Sequence, residues 1–356
     1  MDGNESQQTI FVVNTGSTSS KLALYLESEE VASFAYRHTA SELEKFNDIW
    51  EQLEHRTEIA RSWLSTRAVT PSVVVGIGGL LRPVAGGTYL VNERMIADAR
   101  ANLQGEHASN LGCAIAFAIA FENRCPAYVV DPVSVDEFES LARFSGHPLI
   151  ERRSLSHALN IHSVARLAAG KIGRRLDETR LIVAHLGGGI SVAPVVGGRI
   201  VDANDASSDG PFSPERTGGL PLQQFIGLCY SGKYSEGQAR RIVMGKGGLS
   251  AYLGTNSAHE VEDRILHGDD RAREVFEAMA YQIAKEIGAM STVLKGNIDA
   301  IAITGGLAGS DILVEWIRER VAFIAPVYVF PGEYEMKALA LGALRVLHGE
   351  EKLMEY

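Results

Sequence analysis

Residues 9–25 read TIFVVNTGSTSSKLALY. Ile10, Phe11, Val12 and Val13 form an apolar run that stops at Asn14, and a second apolar run, 22–26, begins directly after Lys21. Two short β-rich segments around a Gly/Ser/Thr/Asn stretch predict a hairpin. A tight hairpin needs only about two to five connecting residues. The stretch 14–20 is longer, is rich in hydroxyls and leads into an ammonium group. Backbone N–H groups, hydroxyls and a cation gathered at one strand tip suit the oxygens of a phosphate.

The pattern returns in the second half of the chain. Residues 181–186 are apolar, Gly187, Gly188 and Gly189 make a turn, and 190–196 are apolar again. Gly197 and Gly198 then turn into a third short strand at 199–203, as 31–36 does after the first hairpin. Repetition on this scale is too long for a solenoid and predicts two related α/β domains. Between the hairpins, helical spacing runs through 41–64, 93–103, 108–122, 135–143 and 156–171, with strands at 73–77, 88–91 and 127–130. After the second hairpin come helices at 222–230, 236–244, 261–294 (broken near Gly268), 311–323 and 336–347, with strands at 300–304 and 327–330. The segment 108–122 is apolar almost all round, which predicts a buried helix. The expected first domain covers 1–152, with the C-terminal helix, about 336–356, packed onto it. The second covers 153–335.

Composition narrows the function. The chain has 356 residues, 46% of them hydrophobic and 22% charged, an ordinary globular mixture. A net charge of −10 argues against non-specific binding to nucleic acid or anionic membranes, both of which need clustered Lys and Arg. Cys113, Cys125 and Cys229 are odd in number and widely spaced, so they read as free thiols in a reducing compartment. The polar N-terminus MDGNESQQ is no leader peptide, and no apolar run reaches the ~20 residues that span a bilayer. The expected location is the cytoplasm.

Four loops at strand ends stand out: 14–21, 185–189, 304–306 and the pair Asp131-Pro132. Glycine lets a backbone approach a ligand closely and reach positive φ. Four such tips on a duplicated α/β chain point to a nucleotide held by both halves. Neither a P-loop nor a dinucleotide-binding glycine fingerprint is present.

VNTGSTSSKLALY (13–25), GGTYLVNERM (86–95), GEHASNLG (105–112), VVDPVSVDEF (129–138), AHLGGGISV (184–192), DGPFSPERTGGLP (209–221) and ITGGLA (303–308) span nearly the whole chain. On these stretches the chain resembles the acetate and sugar kinase, heat-shock chaperone and actin superfamily. Within it, the chain is similar to the butyrate-kinase branch of the acetokinase family, for which DGPFSPERTGGLP is the most specific signature. The resemblance implies two ribonuclease-H-like, actin-like ATPase domains around a nucleotide cleft. It implies a reversible, in-line reaction of Mg·ATP with a short-chain carboxylate, giving an acyl phosphate and ADP. It also implies a homo-oligomer, a dimer or larger. Such an acid, with a pKa of roughly 4 to 5, is already ionised at neutral pH and needs no general base. The obstacle is repulsion between two anions, so catalysis consists of positioning and charge compensation.

By the same resemblance Arg216 is the cation on the transferring phosphoryl group, and His185 donates to its oxygens. His157 is the family's other active-site histidine, with His162 as the competing choice. Asp131 positions metal, water or arginine. Glu335 helps hold Mg²⁺, with Glu333 as its alternative. Asn14, Ser17, Ser19, Lys21, Gly187, Gly188, Gly189, Gly305 and Gly306 contact nucleotide or phosphate. The chain departs from the family at GIGGLLRP (76–83), where Ile77 stands in place of an arginine that meets the substrate carboxylate. Arg82 is the expected substitute for that charge. Rival expectations are a kinase for acetate, propionate or a branched acid, a nucleotide-dependent scaffold, and a family member inactive on carboxylates because of Ile77.

Overall fold

The computed structural model describes residues 7–356. In chain order its first elements are β1 (Thr9–Thr15), β2 (Ser19–Leu26), β3 (Glu29–Arg37), α1 (Ala40–Leu43), α2 (Leu53–Ser65), β4 (Val73–Ile77), β5 (Thr88–Leu90), α3 (Glu93–Arg100), α4 (Leu111–Asn123) and β6 (Ala127–Val130). There follow α5 (Ala158–Lys171), β7 (Arg180–Leu186), β8 (Ile190–Val196), β9 (Arg199–Ile200), α6 (Leu222–Cys229), α7 (Glu236–Val243), α8 (Gly248–Leu253) and α9 (Ala258–Leu266). The chain closes with α10 (Asp270–Val293), β10 (Ala300–Gly305), α11 (Asp311–Val321), β11 (Val327–Pro331), α12 (Glu335–Leu347) and β12 (Met354–Glu355). Among the described residues no helix is long and apolar enough to cross a membrane.

These elements form two compact units. One holds the chain up to Val135 together with Tyr334–Tyr356, and the other is Asp136–Glu333. The sequence reading put the division at 152, some residues later. Segment 136–153 instead joins the second unit through polar anchors: Glu139 N donates to the Val201 carbonyl, and Arg152 pairs with Asp202 at 2.8 Å. Glu137 also accepts from Ile200 N. Helical spacing at 135–143 survives only as a short 3-10 turn, Ser140–Arg143, because Asp136 and Arg143 fork together across the bend.

In the first unit the strand order is β12-β5-β6-β4-β1-β2-β3; in the second it is β11-β10-β7-β8-β9. Each has a three-stranded antiparallel meander whose first strand pairs in parallel with the next strand inward. The run β6-β4-β1-β2-β3 thus has the same order and directions as β11-β10-β7-β8-β9, so the repeat read from the two hairpins is a repeat of whole sheets.

Strand β4 is buried at every position, as a central parallel strand covered on both faces should be. Phe11, Val13, Val74 and Val129 share a core with Leu111, Ile115 and Ile119 of α4. On the other face Gly342 of α12 packs against the Val130 side chain, and its carbonyl accepts from Thr88 Oγ1. In the second unit the long α10 buries Phe276, Met279, Ile283 and Ile287 beneath β7, β8 and β10. The broken helix expected around Gly268 is two helices, α9 and α10, with Asp269 capping the second.

Candidate active site

In the first unit the hairpin is tighter than its sequence suggests. Pairing runs to Thr15–Ser20, and Gly16 N donates to Ser19 O at 2.8 Å, so only 16–18 turn. Asn14 and Lys21 are therefore directly opposed ladder partners, which puts their side chains on one face. Asn14 Nδ2 donates to Glu335 Oε2 at 2.7 Å, bringing the first turn of α12 to the tip of β1. Ser17 lies in the turn, and Ser19 is the first residue of β2.

Asp131 follows β6 with φ +39°, in the left-handed region that costs most residues strain and that Asp tolerates better than most. Its conformation is fixed by Gly87: the Asp131 carboxylate accepts from Gly87 N at 2.7 Å, and Asp131 N donates to Gly87 O. The carboxylate is buried at the C-terminal end of β6.

Arg82 is not set up to replace a missing arginine. Its Nε donates to Asp98 at 2.6 Å, a second nitrogen also contacts that carboxylate, and the guanidinium stands near the Tyr356 ring. A cation already paired with a carboxylate of α3 has less charge to offer a substrate. Ile77, the residue in the arginine's place, is packed into the core where α4 begins, with Gly112 against its carbonyl. Arg82→Ala is expected to leave the KM for the acid within about twofold; a tenfold rise in steady-state kinetics would restore the earlier assignment.

In the second unit the predicted residues converge. His157, just before α5, stacks on His185 near the end of β7, ring centroids 4.1 Å apart. Ser191 on β8, fully buried, bonds His157 Nδ1 at 2.9 Å. Arg216 folds against the glycine turn: its Nη1 donates to Ala206 O at 3.0 Å, and a Cβ built on Gly189 would lie 2.4 Å from that nitrogen. Glycine is required there by the arginine rather than by the turn. Ser213, missed in the sequence, braces both sides, donating from Oγ to Gly188 O at 2.5 Å and accepting from Arg216 N. Gly305 has φ +95° and passes so close to Leu186 O that a Cβ would sit at 2.3 Å; Gly306 meets nothing. His162, the competing choice, faces Glu137 at 3.3 Å.

Burial lowers the His157 pKa well below its usual value, and the nearby His185 and Arg216 charges lower it further. Burial brings His185 down to about 4, against a weaker upward pull from Glu333. Burial also lowers the Arg216 pKa, although a guanidinium stays charged. At neutral pH the site thus offers two neutral imidazoles, each one donor and one acceptor, beside a cation. The His185 shift has a thermodynamic consequence. Between about pH 6.5 and 4 the unfolded chain holds a proton that the folded imidazole lacks, so stability falls as pH drops through that window. Asp209, raised to about 6 by burial, works in the opposite sense. Thermal unfolding from pH 7 to 4 should therefore show His185→Asn losing less Tm than the parent; equal losses would refute the buried neutral imidazole.

The family model of the acetokinase family matches residues 147–324. Probable butyrate kinase 2 of Caldanaerobacter subterraneus is 50% identical over 345 residues, 96% of this chain and 98% of the relative. This chain belongs to the acetokinase family. Butyrate kinase 2 of Clostridium acetobutylicum is 46% identical, covering 98% of this chain and 99% of its own length. The fold agrees with that membership. The crystal structure of Porphyromonas gingivalis acetate kinase superposes with a TM-score of 0.80 at 17% identity, covering 96% of this chain and all of that one. Each unit is thus the ribonuclease-H-like sheet of the actin-like kinases, as the family resemblance implied.

Proposed function

We propose that this chain transfers the γ-phosphoryl group of ATP to butyrate, giving butyryl phosphate and ADP, reversibly. The observation that carries the reading is the grouping of Arg216 with His157 and His185 at the glycine turn after β7. A carboxylate oxygen attacks the γ-phosphorus, the bond from that phosphorus to the β–γ bridging oxygen breaks, and the electron pair leaves with ADP. No proton moves, so the neutral imidazoles are not needed as bases. Arg216 offsets the negative charge on the equatorial oxygens, and His185 and His157 donate from neutral rings. Burial strengthens each of these interactions because little water competes.

The hairpin tip (Asn14, Ser17, Ser19, Lys21) and the glycines 187–189 and 305–306 are the proposed phosphate contacts. Mg²⁺ prefers oxygen donors, keeps several waters and is usually held by one or two carboxylates with the phosphates. Glu335 and Asp131 supply donors of that kind. Among the described residues no cluster of three or more His, Cys, Asp or Glu side chains could hold a metal ion. The ion would neutralise phosphate charge. Glu335 is preferred over Glu333 because it is the one bonded to Asn14 at the tip of β1.

A hydroxamate assay with ATP, Mg²⁺ and acids of two to six carbons tests the proposal. Butyrate should give the highest kcat/KM. A methylene more or less changes binding by only about 1–3 kcal/mol, so neighbouring acids should react more slowly. Preference for acetate would move the substrate assignment, and ATP binding without acyl phosphate from any acid would overturn it.

A further inference from the structure

Arg56, on the inner face of α2, is 1% exposed and is the largest fully buried side chain. Nothing in the proposed chemistry uses it. Its Nη1 donates to Gly16 O at 3.0 Å, Ser19 O at 3.1 Å and Ser20 Oγ at 3.2 Å. Its Nη2 donates to Ser17 O at 3.3 Å, and Gln52 Oε1 accepts from both Nε and Nη2. None of these partners is a carboxylate. Burial lowers its pKa only to about 10, so the side chain remains a cation at neutral pH. A buried charge compensated by carbonyl dipoles alone is expensive, and a neutral side chain would tie α2 to the hairpin at less cost.

The geometry of the tip shows what the cation does. Carbonyls of Gly16 and Ser17 point at Arg56, and that of Thr18 accepts from His38 N at 2.9 Å. In a trans peptide the next N–H points the opposite way. With the Gly16 and Ser17 carbonyls both turned toward Arg56, the amides of Ser17 and Thr18 are turned outward together, which is the arrangement of an anion-binding nest. Repulsion between those aligned carbonyls would ordinarily flip one of them. Arg56 removes that repulsion.

We propose that Arg56 is a positioning residue that holds the 16–19 tip in its anion-accepting form, and that the anion is the polyphosphate tail of a nucleotide. The inference rests on the nucleotide reading above and deepens it. It is tested by calorimetric titration of the full chain with ATP, inorganic triphosphate and adenosine, alongside steady-state KM values. The parent should bind ATP and triphosphate. Arg56→Met should weaken both at least tenfold, leave adenosine affinity and the KM for butyrate within twofold, and change Tm separately. Arg56→Lys, which keeps the charge but reaches fewer carbonyls, should recover part of the loss, and Gln52→Leu, which frees the guanidinium, should give a smaller loss of the same kind. If the parent binds no polyphosphate, the nucleotide reading fails. If the parent binds and Arg56→Lys and Gln52→Leu match it whatever their Tm, Arg56 serves only to fasten α2, and this inference alone is overturned.

Discussion

Replacing Arg216 by alanine should lower kcat for acyl-phosphate formation by about a thousandfold or more, as removal of the arginine that faces a transferring phosphoryl group does in other phosphotransferases. KM values should change far less, since the interaction is strongest when charge on the phosphoryl oxygens is greatest. Stability should hardly move, because the guanidinium makes one hydrogen bond to the protein, at Ala206 O. Lysine is no substitute: a point charge cannot keep that bond and also present a planar fork to two oxygens, so Arg216→Lys should lose about a hundredfold or more. Gly189→Ala approaches the same group from the other side. Its new Cβ would collide with Nη1, the mobile end of a side chain, so the arginine moves and the fold survives. Initial rates with saturating ATP and acid, read beside circular dichroism, decide the matter. An Arg216→Ala enzyme within tenfold of the parent would remove the arginine from the chemistry.

Gly76→Ala should be the most destabilising single methyl in the chain's first unit. Its Cβ would stand 2.2 Å from the carbonyl oxygen of Gly112, and a Cβ on Gly112 would meet the carbonyl of Ile77 at 2.3 Å. Both obstacles are backbone, so no rotamer relieves them, and α4 must lift from β4. Overpacking of this kind costs roughly 1–3 kcal/mol and sometimes more. In a unit of this size that is a fall in Tm on the order of 5–10 °C. Gly288→Ala is the matched control: it lies in α10 with nothing within 4 Å and should be neutral or slightly stabilising. Differential scanning fluorimetry on the three proteins suffices. A Gly76→Ala protein as stable as the parent would mean that α4 and β4 are not in backbone contact.

Strands were legible because their burial is nearly continuous: 73–77 and 127–130 are read with the bounds they have. The stretch 41–64 was not. Its apolar spacing suits one helix, yet Asn47 and Asp48 break it, Asp48 accepting from Trp50 N and Glu51 N before α2 begins. That local competition between side chain and backbone carries no periodic signal. The glycine-rich tips were legible from composition alone, whereas Arg216, His185 and His157 were singled out through the family resemblance. Arg56 was not, although a clue was present. It falls on the same helical stripe as Ala60, Trp63 and Leu64, where a charge has no place unless something beneath it needs one. What lies beneath is decided by a hairpin some forty residues earlier, and no spacing rule reaches that far.

The first unit is closed by residues that follow the whole of the second: Glu335 reaches Asn14, α12 covers β1, β4 and β6, and β12 extends the sheet beside β5. On the ribosome, Asp136–Glu333 is therefore the stretch that can finish its core as one continuous piece. The opening hairpin waits with one sheet face bare until α12 has been made, and during that wait it is a natural client for a chaperone.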